Sequence, residues 1–492
     1  MTLQHLVLSL AGLAPLLLAS PATAGGGSIL CVDPVDGACF QTIQSAVDAA
    51  DPGDTVRIAA KAGGAAYGET VVIETAGLTV EGSAAPAFTI TNFDQLLELD
   101  WPTERASCPV TVVDACETEA LGASCGFQNE AAAADARNAF VIRAPGVTLA
   151  NLTIRFADVA VRLDQGSDNA VVRDNCIMRS VSGIWAGEQE ITEVDGVTIQ
   201  RNRLFNLIGK DDPAQGPADT FFVLAAVDLY GDDALIELNL MHSSSSLQLG
   251  GGGHTVRLNA QHYDTLENSV FINSSSTVFE ENWYLQPWED GLETTDQVPV
   301  ATLTLRRNLL DLSGSNDGEA LDLRGASLPQ LLAEENEIIG ASDQGIDITN
   351  APGAVIRDNT VSLAGFSSEA GIAIRGSLGA TVSDNRVTDS QIGIRIVDAE
   401  NVELEGNTVE DSLATGVLVL SESSGAVLTD NQILGTYGDG LAQQSGATGT
   451  AATGNTILGL TLDVCNQGSF ATFSGNTFNT GGTTTPCLVF AD

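Results

Sequence analysis

Short stretches of alternating apolar and polar residues run along most of the chain, and they recur on a steady beat. Ala354-Val355-Ile356-Arg357-Asp358 is followed by Asn359, then Thr360-Val361-Ser362-Leu363, a loop, and Gly371-Ile372-Ala373-Ile374-Arg375. A period of two marks β-strands with one face buried. The unit returns with Asn336, Asn359, Asn385, Asn407, Asn431, Asn455 and Asn476, at gaps of 23, 26, 22, 24, 24 and 21 residues. Asn151, Asn175, Asn202, Asn239, Asn259, Asn282 and Asn308 continue it upstream, less evenly. A unit this small cannot bury its apolar face alone. Stacked on its neighbours it can, with strands of successive units parallel and about 4.8 Å apart. An Asn in each turn tolerates left-handed backbone and can bond to the Asn above and below. The alternation, and the lack of amphipathic helices, exclude a helical solenoid.

The start of the chain has a different pattern. Thr42-Ile43-Gln44-Ser45-Ala46-Val47-Asp48-Ala49-Ala50 places Ile43, Ala46, Val47 and Ala50 on one helical face. Pro52-Gly53-Asp54-Thr55-Val56, Tyr67-Gly68-Glu69-Thr70-Val71-Val72-Ile73 and Gly77-Leu78-Thr79-Val80-Glu81-Gly82 follow as strands and turns. With the repeats, this resembles the pectate-lyase-like superfamily over roughly residues 40–480. The resemblance implies an all-β, single-stranded right-handed parallel β-helix of about 12 coils. It also implies a short N-terminal helix capping the open end, where it blocks edge pairing. Residues 83–138 break the period and hold three cysteines, Trp101 and Ala131 to Ala134. They are expected to be a partly disulfide-stapled insertion in a single domain spanning 25–492.

Leu6 to Leu18 form an apolar run ahead of Ser20-Pro21-Ala22-Thr23-Ala24. That is an export-signal pattern over 1–24, too short for a membrane span and without Lys or Arg in its first residues. The mature chain is expected to be secreted or periplasmic, with no membrane span, and monomeric. Eight cysteines suit an oxidising compartment. Cys31 and Cys39 are close enough to close a small loop, and Cys465 and Cys487 lie about one repeat apart. The pairing of Cys108, Cys116, Cys125 and Cys176 stays open. The 64 acidic residues against 20 basic ones give a net charge of −44. No basic patch exists to displace counterions from a phosphate backbone, so nucleic-acid binding is excluded, and an anionic membrane is disfavoured. Zinc lacks both CxxC spacing and His partners.

Aligning the first strand of each coil gives an outward column: Arg162, Trp185, Asp228, Gln248, Phe271, Glu293, Asp322, Asp347, Ala373, Arg395, Leu418 and Ala442. Glu293, Asp322 and Asp347 then stand on three successive coils, about 5 Å apart per step. Stacked carboxylates persist when one is protonated, when a cation lies among them, or when solvent screens them. A protonated acid beside an ionised base suits glycoside hydrolysis. Calcium on Glu293, Asp322 and Asp347 would suit a lyase or epimerase working on a uronate. Arg324 and Arg375 lie alongside and could clamp a substrate carboxylate. Trp185, Tyr230, Trp283, Tyr284 and Trp288 are candidates to stack on sugar rings. His242 and His262, in equal register on adjacent coils, are a weaker metal or base candidate. A solvated acidic face, ordinary loop packing and repeat geometry account for the same residues without function.

The motifs of the superfamily's polygalacturonase-like glycosidases and mannuronan epimerases are absent, and no lysine lies near the column. Two readings follow. One is an exported lyase or hydrolase of an acidic polysaccharide. The other is a non-catalytic surface or carbohydrate-binding β-helix. A periplasmic metal-handling protein is a third, resting on the histidines alone.

Overall fold

The computed structural model describes residues 27–83, 88–115, 138–180, 182–187, 193–205, 207, 226–242, 247–262, 270–287, 290–294, 301–313, 318–324, 330–362, 369–459 and 461–478. The expected export signal lies outside them. The chain is an all-β right-handed parallel β-helix. Three parallel sheets wind around one apolar core, with 15, 17 and 16 strands among the described residues. The first sheet runs from Val71–Ile73 to Leu462–Asn466, the second from Ile29–Val32 to Ser469–Ser474, and the third from Tyr67–Gly68 to Thr477–Phe478. About fifteen coils are present against the about 12 expected, because the first sheet has two strands before Arg162 and one after Ala442 that the outward column does not count. No helix of the described residues is long and apolar enough to cross a membrane.

Inward residues of each short strand are closed to solvent, as in Ile356, Val361, Ile372 and Ile374. The helix Ile43–Asp48 caps the first coil, burying Ile43, Ala46 and Val47. Thr42 Oγ1 accepts the Ser45 N–H, and the Glu69 carboxylate accepts from the amides of Ile43 and Gln44 at 2.9 and 3.0 Å. Helix-end donors are thus satisfied where the barrel would otherwise be open.

The asparagines form one buried ladder between the second and third sheets. Asn359 Nδ2 donates to Asn385 Oδ1 at 2.9 Å and to the Ala333 carbonyl at 2.9 Å, and Asn359 Oδ1 accepts from Asn336 Nδ2 at 2.9 Å. The ladder is continuous from Asn175 to Asn476. Two sequence expectations need correction. Left-handed backbone belongs to the residue before each ladder Asn, such as Asp174, Leu258, Asp358 and Gly406, and not to the Asn itself. Asn151 likewise takes positive φ, and Leu152 holds the ladder position above Asn175.

Residues 83–138 are not one excursion. The chain leaves after Gly82, forms the helices Phe93–Leu97 and Trp101–Ala106, returns to the third sheet as Val112–Asp114, and rejoins the first sheet at Phe140–Ile142. Cys108 pairs with Cys176, and Cys31 with Cys39. Arg203, almost closed to solvent, bonds Glu104 at 2.7 Å and fixes the second helix against the third sheet.

Candidate active site on the first sheet

Strand pairing reproduces the outward column residue for residue. Arg162 pairs with Trp185, Trp185 with Asp228, Asp228 with Gln248, and Gln248 with Phe271. Phe271 pairs with Glu293, Glu293 with Asp322, Asp322 with Asp347, and Asp347 with Ala373. The three carboxylates therefore share one face of the first sheet on consecutive coils.

A second acidic row stands beside them at the entrance to the same strands. The sequence reads Asp290-Gly291-Leu292-Glu293, Glu319-Ala320-Leu321-Asp322 and Gln344-Gly345-Ile346-Asp347. Gly291 N–H donates to the Glu319 carbonyl, and Ala320 N–H to that of Gln344, which stacks the row. Oxygens of Asp290, Glu319 and Asp322 lie within 4.8 Å of one another, a geometry able to coordinate a metal ion. Glu319 and Asp290 were not foreseen as site residues. The available signal was a polar residue three places before each of the three column carboxylates: Asp290, Glu319 and Gln344.

Burial dominates the electrostatics. It pushes the Asp322 carboxyl up to about 7, against the pull of Arg324 and with the push of Glu319 and Asp347. Burial raises Asp347 as well, against the pull of Arg375. Burial raises Asp290 to about 6 and Glu319 to about 8, and the contact between them lowers Asp290 while raising Glu319 further, which favours the pair's proton on Glu319.

The arginines are already engaged. Arg324 Nε lies 2.7 Å from Asp322 Oδ1, and its Nη2 2.6 Å from Oδ2. Arg375 Nε lies 3.1 and 3.0 Å from the two oxygens of Asp347. Arg395 Nη2 sits 2.9 Å from Glu369, whose carboxylate also accepts from Gln344. Arg324 and Arg375 are thus each paired with a carboxylate of the column while remaining partly exposed.

The aromatic candidates separate. Trp185 and Tyr230 lie on this face. The Arg162 guanidinium lies 5.2 Å from the Trp185 ring centre, and the Tyr230 ring covers Gly250 so closely that any side chain there would collide with it. Trp185 is four steps from Glu293, about 19 Å. Tyr284 is turned into the core, stacked on Gln261, because it occupies an inward position of the strand Trp283–Leu285. Trp283 is on the third sheet, 6.5 Å from Trp101. Neither reaches the first sheet. Trp288 lies outside the described residues.

His242 and His262 pair across adjacent coils as expected, with ring centres 4.9 Å apart. Trp101 lies against both, at 5.3 and 5.2 Å. Burial and the neighbouring His242 push His262 down to about 4. The pair thus sits under the helix Trp101–Ala106, on the third sheet and away from the acidic face.

The fold and this face define a right-handed parallel β-helix bearing a buried carboxylate cluster on its first sheet. A family model described as right handed beta helix region matches residues 311–457. No curated protein matches the chain. Among solved structures it is similar to the periplasmic alginate epimerase AlgG, at 13% identity over 69% of this chain and 77% of that one, TM-score 0.39. It is similar to the catalytic domain of a GH87 alpha-1,3-glucanase, at 12% identity over 90% and 71%, TM-score 0.48. It is also similar to DFA-IIIase from Arthrobacter chlorophenolicus A6, at 10% identity over 93% and 99%, TM-score 0.33. These likenesses concern the fold alone.

Proposed function

We propose that this is an exported polysaccharide-degrading protein whose first sheet carries a general acid–base site of the hydrolytic kind. The observation that carries the reading is the Asp290–Glu319–Asp322 cluster, with oxygens within 4.8 Å of one another, in which burial and Asp290 favour a proton on Glu319, next to Asp322 and Asp347, each paired with an arginine. A carboxyl kept protonated at neutral pH can protonate a glycosidic oxygen, and a neighbouring ionised carboxylate can activate water or stabilise the oxocarbenium-like transition state. Glu319 is the proton donor in this scheme. The Trp185 and Tyr230 rings offer stacking surface further along the same face. Disulfides in the early coils fit an oxidising, extracytoplasmic setting. A lyase is less well supported, because Arg324 and Arg375 are occupied and no lysine stands by the column.

One observation favours a second reading. The Asp290–Glu319–Asp322 oxygens have the spacing of a cation site. Calcium there would replace the proton on Glu319 and supply the positive charge a uronate needs. The test is release of reducing ends, and of products absorbing in the ultraviolet through a new double bond, from a panel of neutral and uronic polysaccharides with calcium or a chelator. Chelator-insensitive reducing ends, lost about 10²-fold or more in Glu319→Gln, are expected. Calcium-dependent unsaturated products would replace the hydrolytic reading by the second. No turnover and no binding on any member of the panel would defeat both.

A further inference from the structure

Beyond Asp347 the outward column of the first sheet turns apolar. Ala373, Leu418, Ala442 and Cys465 follow, interrupted by Arg395, in unbroken strand register. They point away from the core, yet Leu418 is 3%, Ala442 6% and Cys465 3% exposed. They form an apolar cluster separate from the core, and among the described residues the half-buried apolar side chains packed on it are Leu420 and Leu462, from the same sheet. An outward leucine flanked by alanine and cysteine on an open sheet would be wet. Something covers this stripe.

Cys465 identifies the cover. It is disulfide-bonded, and the cysteines paired among the described residues are Cys31 with Cys39 and Cys108 with Cys176. Cys116, Cys125 and Cys487 are left as partners. Thirteen steps of the third sheet separate Val112–Asp114 from Thr456–Gly459, about 60 Å at the spacing of parallel strands. Cys116 follows Asp114 by two residues and Cys125 by eleven, which even fully extended span no more than about 40 Å. Neither reaches Cys465. Cys487 follows Phe478 by nine residues, about 30 Å when extended, and the preceding coils pass from the third sheet to the first in three to five residues.

We propose that residues 479–492 dock on this stripe, pinned by a Cys465–Cys487 disulfide, with Leu488, Val489 and Phe490 laid over Leu418, Leu420 and Ala442. The sequence complements the surface it meets, because Leu488-Val489-Phe490 is an uncharged apolar run directly after the cysteine.

Peptide mapping of the unreduced full-length protein by mass spectrometry tests the staple. A peptide linking Cys465 to Cys487 is expected, and a link from Cys465 to Cys116 or Cys125, or a free Cys465 thiol, overturns it. Hydroxyl-radical footprinting tests the docking without depending on the bond. Oxidation of Leu418 and Leu420 is expected to be low in the wild-type protein and to rise severalfold in Phe490→Asp. Circular dichroism of that variant should be unchanged, since the stacked coils do not depend on the docked segment. Unchanged oxidation in Phe490→Asp overturns the proposal. So does protection that fades on dilution, which would mean that a second copy of the chain covers the stripe. Neither readout depends on catalysis, so both stand apart from the function proposed above.

Discussion

Asp228 stands on the first sheet between Trp185 and Gln248, 7% exposed, with Oδ1 lacking a hydrogen-bond partner among the described residues. Burial pushes its carboxyl up to about 7. A carboxyl raised above its unfolded value binds more protons in the folded state than in the unfolded one. Its contribution to stability is therefore greatest below the ordinary aspartate range and is lost as pH climbs through about 4 to about 7. Asp228→Asn keeps the shape and removes the charge. Chemical unfolding should find the variant more stable than wild type at pH 8 by up to about 4 kcal/mol, with the gain shrinking toward zero near pH 4. An equal effect at both pH values would show that packing, not ionisation, is responsible. The same sign applies to Glu319 and Asp290, with a catalytic consequence. Turnover at the proposed site should fall above about pH 8, as the Glu319 proton is lost, and an activity plateau from pH 7 to 10 would remove Glu319 from the donor role. At this scale the sequence was informative about position and poor about environment. Glu293, Asp322 and Asp347 were placed by counting alternate residues. That Arg324 and Arg375 bind their own neighbouring carboxylates depends on side-chain torsions that no spacing encodes.

The ladder asparagine is the element that repeats. Asn359 donates its backbone amide and side-chain amide to Asn385 Oδ1 and also bonds the carbonyls of Ala333 and Arg357. Replacing it with Ala takes the acceptor from the Asn336 backbone amide and one of two acceptors from its side-chain amide, and removes a donor from the Ala333 and Arg357 carbonyls, all in a buried turn. Asn359→Ala should cost about 2–4 kcal/mol, read from denaturant unfolding. A substitution on the outward face of the second sheet one coil earlier, such as Glu334→Gln, should cost less than about 1 kcal/mol, which separates the ladder from general fragility. The ladder was legible because its spacing matches the coil length. The backbone role assigned to it was misplaced by one residue, since Asp, Glu, Arg, Leu and Gly all serve at positive φ once the Asn side chain holds the turn. Trp283 and Tyr284 show the opposite failure. Two adjacent aromatics read as stacking surface for sugar rings, but they begin a third-sheet strand in which one must face inward. The cover over His242 and His262 comes from Trp101, some 140 residues upstream, and local patterning carries no trace of such a contact.

Over the whole molecule two electrostatic effects oppose each other. The outward face of the second sheet carries a charge ladder in which Arg257 bonds Glu237, Arg306 bonds Glu280 and Arg357 bonds Glu334. Their arginines are partly exposed and their glutamates mostly covered, and such surface pairs are worth about 0–1 kcal/mol each and are weakened by salt. Against them stands a net charge of −44 over 492 residues. This self-repulsion acts over distances longer than the Debye length of roughly 8 Å at physiological ionic strength, and salt relieves it. With 64 acidic and 20 basic residues, most carboxylates cannot find a cation within the chain, so the long-range term should win. Raising sodium chloride from about 0.01 to about 0.5 M, a range across which the screening length falls from about 30 Å to a few ångströms, should therefore raise the melting temperature. Sodium chloride and tetramethylammonium chloride should act alike if screening is the cause. A fall in melting temperature would mean that the arginine ladder outweighs the repulsion. A rise confined to calcium salts would move the effect from the whole surface to the Asp290–Glu319–Asp322 cluster, where Asp322→Asn should then abolish it.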